Sequence, residues 1–236
     1  MFLPSLVVFD LDDTLLDHKA AERAALADLR DAHDGLRRHA LEHVQETYHA
    51  CNAPLWADFA AGTITSSDLK RRRWTDTLVA LECADLEADA ASADYLARYG
   101  CHWRWAEGAR DAYLAVAAEY PVAILTNGFS AQQRGKLARF PDLEAAAVAV
   151  VISDEVDVMK PDPRVFEHVH REAQSALEVA LAPADILYVG DSLRSDVRGG
   201  VGAGWRVAWK DGNLEVAPDG VEVFSDWAEL LRLLEI

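Results

Sequence analysis

The 236-residue chain predicts an α/β fold: a parallel sheet covered by helices, with an all-helical domain inserted into it. Three observations carry that expectation. From about residue 107 onward, strand-length apolar runs alternate with helical stretches, the pattern of a parallel sheet with both faces covered. One further apolar run stands alone near the N-terminus. Between the two lies a long block of helical periodicity with few β-branched runs.

The elements follow in order. SLVVF (5–9) has the length of a strand and stops at Asp10. From Asp17 to Trp105, Ala, Leu and Trp recur at three- and four-residue spacing with Glu and Arg between them. Gly62 closes one helical stretch in the loop GTIT, and Ser66 or Ser67 is expected to cap the next. Strands are then expected at 122–126, 147–153, 185–190, 205–209 and 222–225, and helices at 107–119, 130–139, 163–176 and 226–234. The expected organisation is a Rossmann-like core of residues 1–16 and 106–236, interrupted by a helical domain of residues 17–105.

Composition narrows the function. With 23 Lys+Arg against 40 Asp+Glu, the formal net charge is −17. Such a surface repels phosphate backbones and anionic lipid, so neither a nucleic-acid polymer nor a membrane is expected as partner. No apolar run reaches the roughly 20 residues of a membrane helix. The opening MFLPSLVVF lacks a basic flank and reads as a strand, not a signal peptide. Cys51, Cys83 and Cys101 form no CxxC pair, which points to a reduced, cytoplasmic protein. A monomer or homodimer is expected.

Four short motifs sit just past predicted strand ends. FDLDDTL places Asp10, Asp12, Asp13 and Thr14 after the first; LTNG places Thr126, Asn127 and Gly128 after the second. MKPDP brings Lys160 after the third, and VGDSLRSD brings Asp191 and Asp196 after the fourth. Open parallel sheets bind ligands outside the carboxyl ends of their strands, so the four motifs are expected to share one crevice. Clustered carboxylates raise one another's pKa, a conflict that a hard divalent cation such as Mg²⁺ removes. Lys160, Thr126 and Asn127 add donors for an anion, and Gly128 permits close backbone approach. A cation, a lysine and neutral donors around an anion suit phosphoryl transfer. Within it, Asp10 can serve as nucleophile and Asp12 as acid and then base.

DxDxT, the following Thr, KP and GDxxxxD, in that order with a helical insert after the first, resemble the haloacid dehalogenase superfamily of phosphohydrolases with a helical C1 cap. The resemblance implies that Asp10 is nucleophile and Mg²⁺ ligand. It implies that Asp12 is the acid/base and lends the metal its backbone carbonyl. Thr126 and Asn127 would hold phosphoryl oxygens, Lys160 would neutralise the phosphoaspartate, Asp191 would bind metal, and Asp196 would stand behind it. An acid at position 12 favours phosphate esters over carbon–halogen bonds. TNGFSAQQRGKL, ISDEVDVMKPDPRVFEH and GDSLRSDVRGG look like the branch of pyrimidine 5′-nucleotidases and N-acylneuraminate-9-phosphatases. The expected activity is therefore phosphomonoester hydrolysis, of a nucleoside 5′-monophosphate or alternatively a sugar phosphate, N-acylneuraminate-9-phosphate or phosphoglycolate.

Plainer readings compete. Taken singly, DxD can end a strand, TNG can be a turn, KPDP can lead into a helix with Pro163 in its first turn, and Ser192 can be an N-cap. Asp13 and Asp17 read as loop or helix-start acids, and Gly199, Gly200, Gly202 and Gly204 as close packing and a turn. In the helical insert, Trp56 and Trp74 read as core. His18, His49, Asn52 and one of Arg71, Arg72 and Arg73 are candidates for substrate contact. A receiver-like phospho-signalling module, a catalytically dead relative and a phosphomutase are the rival functions.

Overall fold

Six strands form one sheet in the computed structural model, which describes residues 3–213 and 216–236. The first two residues of the apolar opening run lie outside the described residues. The strands are β1 (Leu6–Phe9), β2 (Val122–Thr126), β3 (Ala147–Ile152), β4 (Ile186–Gly190), β5 (Arg206–Lys210) and β6 (Val221–Phe224). Their order is β3-β2-β1-β4-β5-β6, and every neighbouring pair is parallel. The Rossmann-like α/β prediction holds. β1, β2 and β4 are buried along their whole length, so their sequences are unbroken apolar runs and do not alternate. Within β1 the two faces still separate by the period of two: Val7 and Phe9 join one core layer, Leu6 and Val8 the other. Strand order reverses at β1, which has β2 on one side and β4 on the other. A crevice at the carboxyl ends follows from that reversal.

The chain divides into two compact units, Met1–Asp17 with Arg104–Ile236, and His18–Trp103. The second contains α1 (His18–Ala32), α2 (Asp34–Arg37), α3 (Leu41–Ala60), α4 (Ser66–Ala80) and α5 (Ala88–Cys101). Its core gathers Leu26, Leu29, Leu36, Tyr48, Trp74 and Tyr95. The sheet unit adds α6 (Ala109–Glu119), α7 (Ser130–Arg139), α8 (Asp142–Ala146), α9 (Pro163–Leu177), α10 (Arg198–Gly202) and α11 (Trp227–Leu233).

Several local details depart from expectation. Asp17, Arg104 and Trp105 belong with the sheet unit, because the outgoing and returning segments pair. Leu16 and Trp105 form an antiparallel bridge, and the Arg104 guanidinium donates to Asp17 Oδ2 at 2.7 Å. The cap of α4 is Thr65, not Ser66 or Ser67: Thr65 Oγ1 accepts from the Asp68 N–H and Asp68 reaches back to Thr65, a complete capping box. Trp74 is fully buried, whereas Trp56 is only half-buried and packs edge-on against Phe59. A Cβ on Gly199 would stand 2.4 Å from Phe166 Cζ, so that glycine does serve close packing; Gly202 faces open space.

Candidate active site

Asp10 is the first residue past β1 and keeps sheet register, its N–H donating to the Val189 carbonyl at 2.9 Å. The chain then curls, with Leu15 and Leu16 N–H groups both donating to the Leu11 carbonyl. This curl returns Thr14, whose hydroxyl donates to Asp10 Oδ2 at 3.2 Å. β2 ends on fully buried Thr126. Gly128 follows at φ +148, where a Cβ would meet the Gln133 side chain at 3.0 Å, so both conformation and space call for glycine. Beyond β4, Ser192 caps a wide π-type turn, Leu193–Val197, that carries Asp196.

These loops bring Lys160 into a buried knot of acids. Its ammonium donates to Asp10 Oδ1 at 2.5 Å, Asp196 Oδ1 at 2.7 Å and the Tyr188 hydroxyl at 2.8 Å. Asp196 Oδ2 also accepts from the Ser192 N–H at 2.9 Å. Carboxylate oxygens of Asp10, Asp191 and Asp196 lie within 4.8 Å of one another. Asp10 and Asp196 share the Lys160 ammonium, and an Asp191 carboxylate oxygen lies close to theirs. Burial, with Asp196 and Asp191 beside it, accordingly holds the Asp10 carboxyl well above its usual range despite Lys160. Burial pulls the Lys160 ammonium down, but Asp10 and Asp196 outweigh this and keep it charged. The donor set is all oxygen and electron-rich, with no thiolate or imidazole. It fits a hard divalent cation of the Mg²⁺ type and not a soft metal.

Asp12 lies on a second set of donors. Lys136 Nζ donates to its two carboxylate oxygens at 2.6 and 2.8 Å, and Gln133 Nε2 donates to Oδ2 at 3.0 Å. The same Gln133 amide donates to Thr126 Oγ1 at 2.6 Å, tying the end of β2 to the loop after β1.

Asp10, Lys160, Asp191 and Asp196 therefore meet, and Asp12 and Thr126 are joined through Gln133. Asn127 has a task beyond the one expected. Its side chain donates to the Lys160 carbonyl at 3.0 Å and accepts from the Lys160 N–H at 2.9 Å, so it holds the backbone of the lysine. Tyr188, Gln133 and Lys136 were not foreseen. Tyr188 is hidden in an apolar strand, while Gln133 and Lys136 stand three apart on one helix face directly after TNG, a signal that was available. Thr14, from the first motif, joins the site through its bond to Asp10.

In the helical unit, Arg71 and Arg72 are exposed. Arg73 is buried over the Tyr48 and Tyr95 rings. His49 pairs with buried Glu22, His18 Nδ1 bonds the Tyr99 hydroxyl at 2.6 Å, and Asn52 Oδ1 is buried without a partner.

Residues 4–204 match the family model described as haloacid dehalogenase-like hydrolase. The chain is 30% identical to the pyrimidine 5′-nucleotidase YjjG of Escherichia coli, over 97% of this chain and 96% of that one. It is 33% identical to a phosphoserine phosphatase of Thermus thermophilus, over 91% and 93%. Among solved structures, the HAD-hydrolase YfnB of Bacillus subtilis, crystallised bound to magnesium, superposes with a TM-score of 0.83 at 24% identity, covering 99% of this chain and 100% of that one; this is a likeness of fold.

Proposed function

Because the chain belongs to the haloacid dehalogenase-like hydrolases and is a phosphoric monoester hydrolase, we propose that it works through a phosphorylated Asp10 in the presence of Mg²⁺. The carrying observation is the buried carboxylate of Asp10, paired with Lys160 and Thr14 at the carboxyl end of the central strand.

In the first step an Asp10 oxygen attacks phosphorus. The ester P–O bond breaks, its electron pair leaves with the alcohol oxygen, and Asp12 gives that oxygen a proton. In the second step a water loses its proton to Asp12 and attacks the same phosphorus, breaking the bond to Asp10 and releasing phosphate. Lys160 offsets the charge on the acyl phosphate, and Asn127 keeps Lys160 in place. Thr126 offers its hydroxyl to a phosphoryl oxygen. Asp10, Asp191 and the backbone carbonyl of Asp12 would hold the cation, with Asp196 behind them. When bound, Mg²⁺ supplies positive charge to the phosphoryl oxygens and to the crowded acids.

The cation reading has a direct check. Mg²⁺ at a hundredfold excess over its Kd should stabilise the wild-type fold by about 2.7 kcal/mol, seen as a raised Tm. Asp191→Asn should remove that rise, each Tm being compared with that of the same variant without metal. An equal Mg²⁺ response in the variant would take Asp191 out of the metal site.

For substrate we propose a small soluble phosphomonoester, a nucleoside 5′-monophosphate first. The full-length similarity to a pyrimidine 5′-nucleotidase supports that choice. A panel of nucleotides, sugar phosphates, phosphoglycolate and phosphoserine, assayed for released phosphate and ranked by kcat/KM, tests it. Pyrimidine nucleotides should lead the ranking; a sugar phosphate or phosphoserine at the top would replace the nucleotide reading. Isomerised ester with no free phosphate would make the enzyme a mutase.

A further inference from the structure

Lys136 is 2% exposed and Gln133 1%, yet neither has a part in the two steps above. A buried ammonium is costly unless paired, so its position calls for a reason. Both residues belong to α7 and both donate to Asp12, whose side chain keeps 23% of its surface exposed. Gln133 in addition donates to Thr126 Oγ1 and to the Asn127 carbonyl, at 2.6 and 3.1 Å. One helix thus brackets the acid/base residue and registers it against the end of β2.

Resting on the proposed function, the geometry assigns Lys136, seated beside Gln133, as a positioning residue that aims Asp12 at the leaving-group oxygen. When Asp12 transfers its proton to that oxygen, the O–H electron pair stays on Asp12. The new carboxylate is then already paired with Lys136. Without the bracket the partly exposed side chain swings toward water, and the aim is lost.

The effect should depend on the leaving group. An alkoxide needs its proton; a nitrophenolate does not. With Mg²⁺ present, kcat/KM would be measured for alkyl and ring-substituted phenyl phosphates of graded leaving-group pKa. Wild-type enzyme should show a shallow dependence and Asp12→Asn a steep one. Lys136→Met should steepen it likewise, losing about 10²-fold on alkyl esters and less than about tenfold on p-nitrophenyl phosphate. Lys136→Arg should recover part of the loss. The double variant Asp12→Asn/Lys136→Met leaves neither charge unpaired, and it should be no slower than Asp12→Asn alone. A uniform loss across the series, an unchanged slope, or a further loss in the double variant would overturn the assignment of Lys136. A wild-type enzyme inert toward every ester would overturn the phosphatase mechanism itself.

Discussion

Asp10→Asn is expected to lower turnover by at least about 10⁴-fold while the Tm holds or rises. The amide cannot supply an anionic oxygen to phosphorus, so the first step has no nucleophile. Stability goes the other way because Asp10 is crowded. Burial raises its pKa, and the neighbouring Asp196 and Asp191 add to this against the pull of Lys160. Asn removes one unit of that repulsion, and Lys160 keeps its bonds to Asp196 and Tyr188. Released phosphate and a calorimetric scan measure the two effects on the same sample. Turnover near the wild-type level would remove Asp10 from the nucleophile's role. A large fall in Tm would show that Asp10 also has a structural duty that the excess of acids does not suggest.

Lys160→Met should cost about 3–5 kcal/mol of stability, because it leaves Asp10 and Asp196 buried without their shared cation. The loss is read from the urea midpoint. Activity should fall as well, by about 10²–10³-fold, through loss of a donor to the phosphoryl charge. The two losses have different causes and can be separated. Adding Asp196→Asn to Lys160→Met should restore much of the stability and none of the activity. If the second substitution restored turnover, Lys160 would be a structural counter-ion only.

Much of this arrangement was legible in the sequence for one reason. Strands of a parallel sheet are buried on both faces, so they appear as short apolar runs, and the residue ending each run lies at the carboxyl edge. Asp10, Thr126 and Asp191 could be placed together on that basis. What escaped was settled by contacts between distant segments. The pairing of the Asn127 side chain with the main chain of Lys160, thirty-three residues later, has no local signal. Gln133 and Lys136 read as the polar face of an ordinary helix, and periodicity does not say which polar face meets a site. Arg73 could not be told from Arg71 and Arg72 by spacing alone; packing over two tyrosine rings selects it for the interior. Tyr188 was concealed by its strand, where an aromatic residue passes for core although its hydroxyl belongs to the acid knot.

The sheet order carries a consequence for biosynthesis. β1 precedes the other five strands along the chain, yet its hydrogen-bonding edges are filled by β2, from residue 122, and β4, from residue 186. A nascent chain must hold this apolar segment unpaired while more than a hundred further residues are translated. The helices of residues 18–103 have a core of their own and can form in that interval. Chaperone capture should therefore be strongest on nascent chains that end before residue 186 emerges, and should fall once β4 closes the second edge.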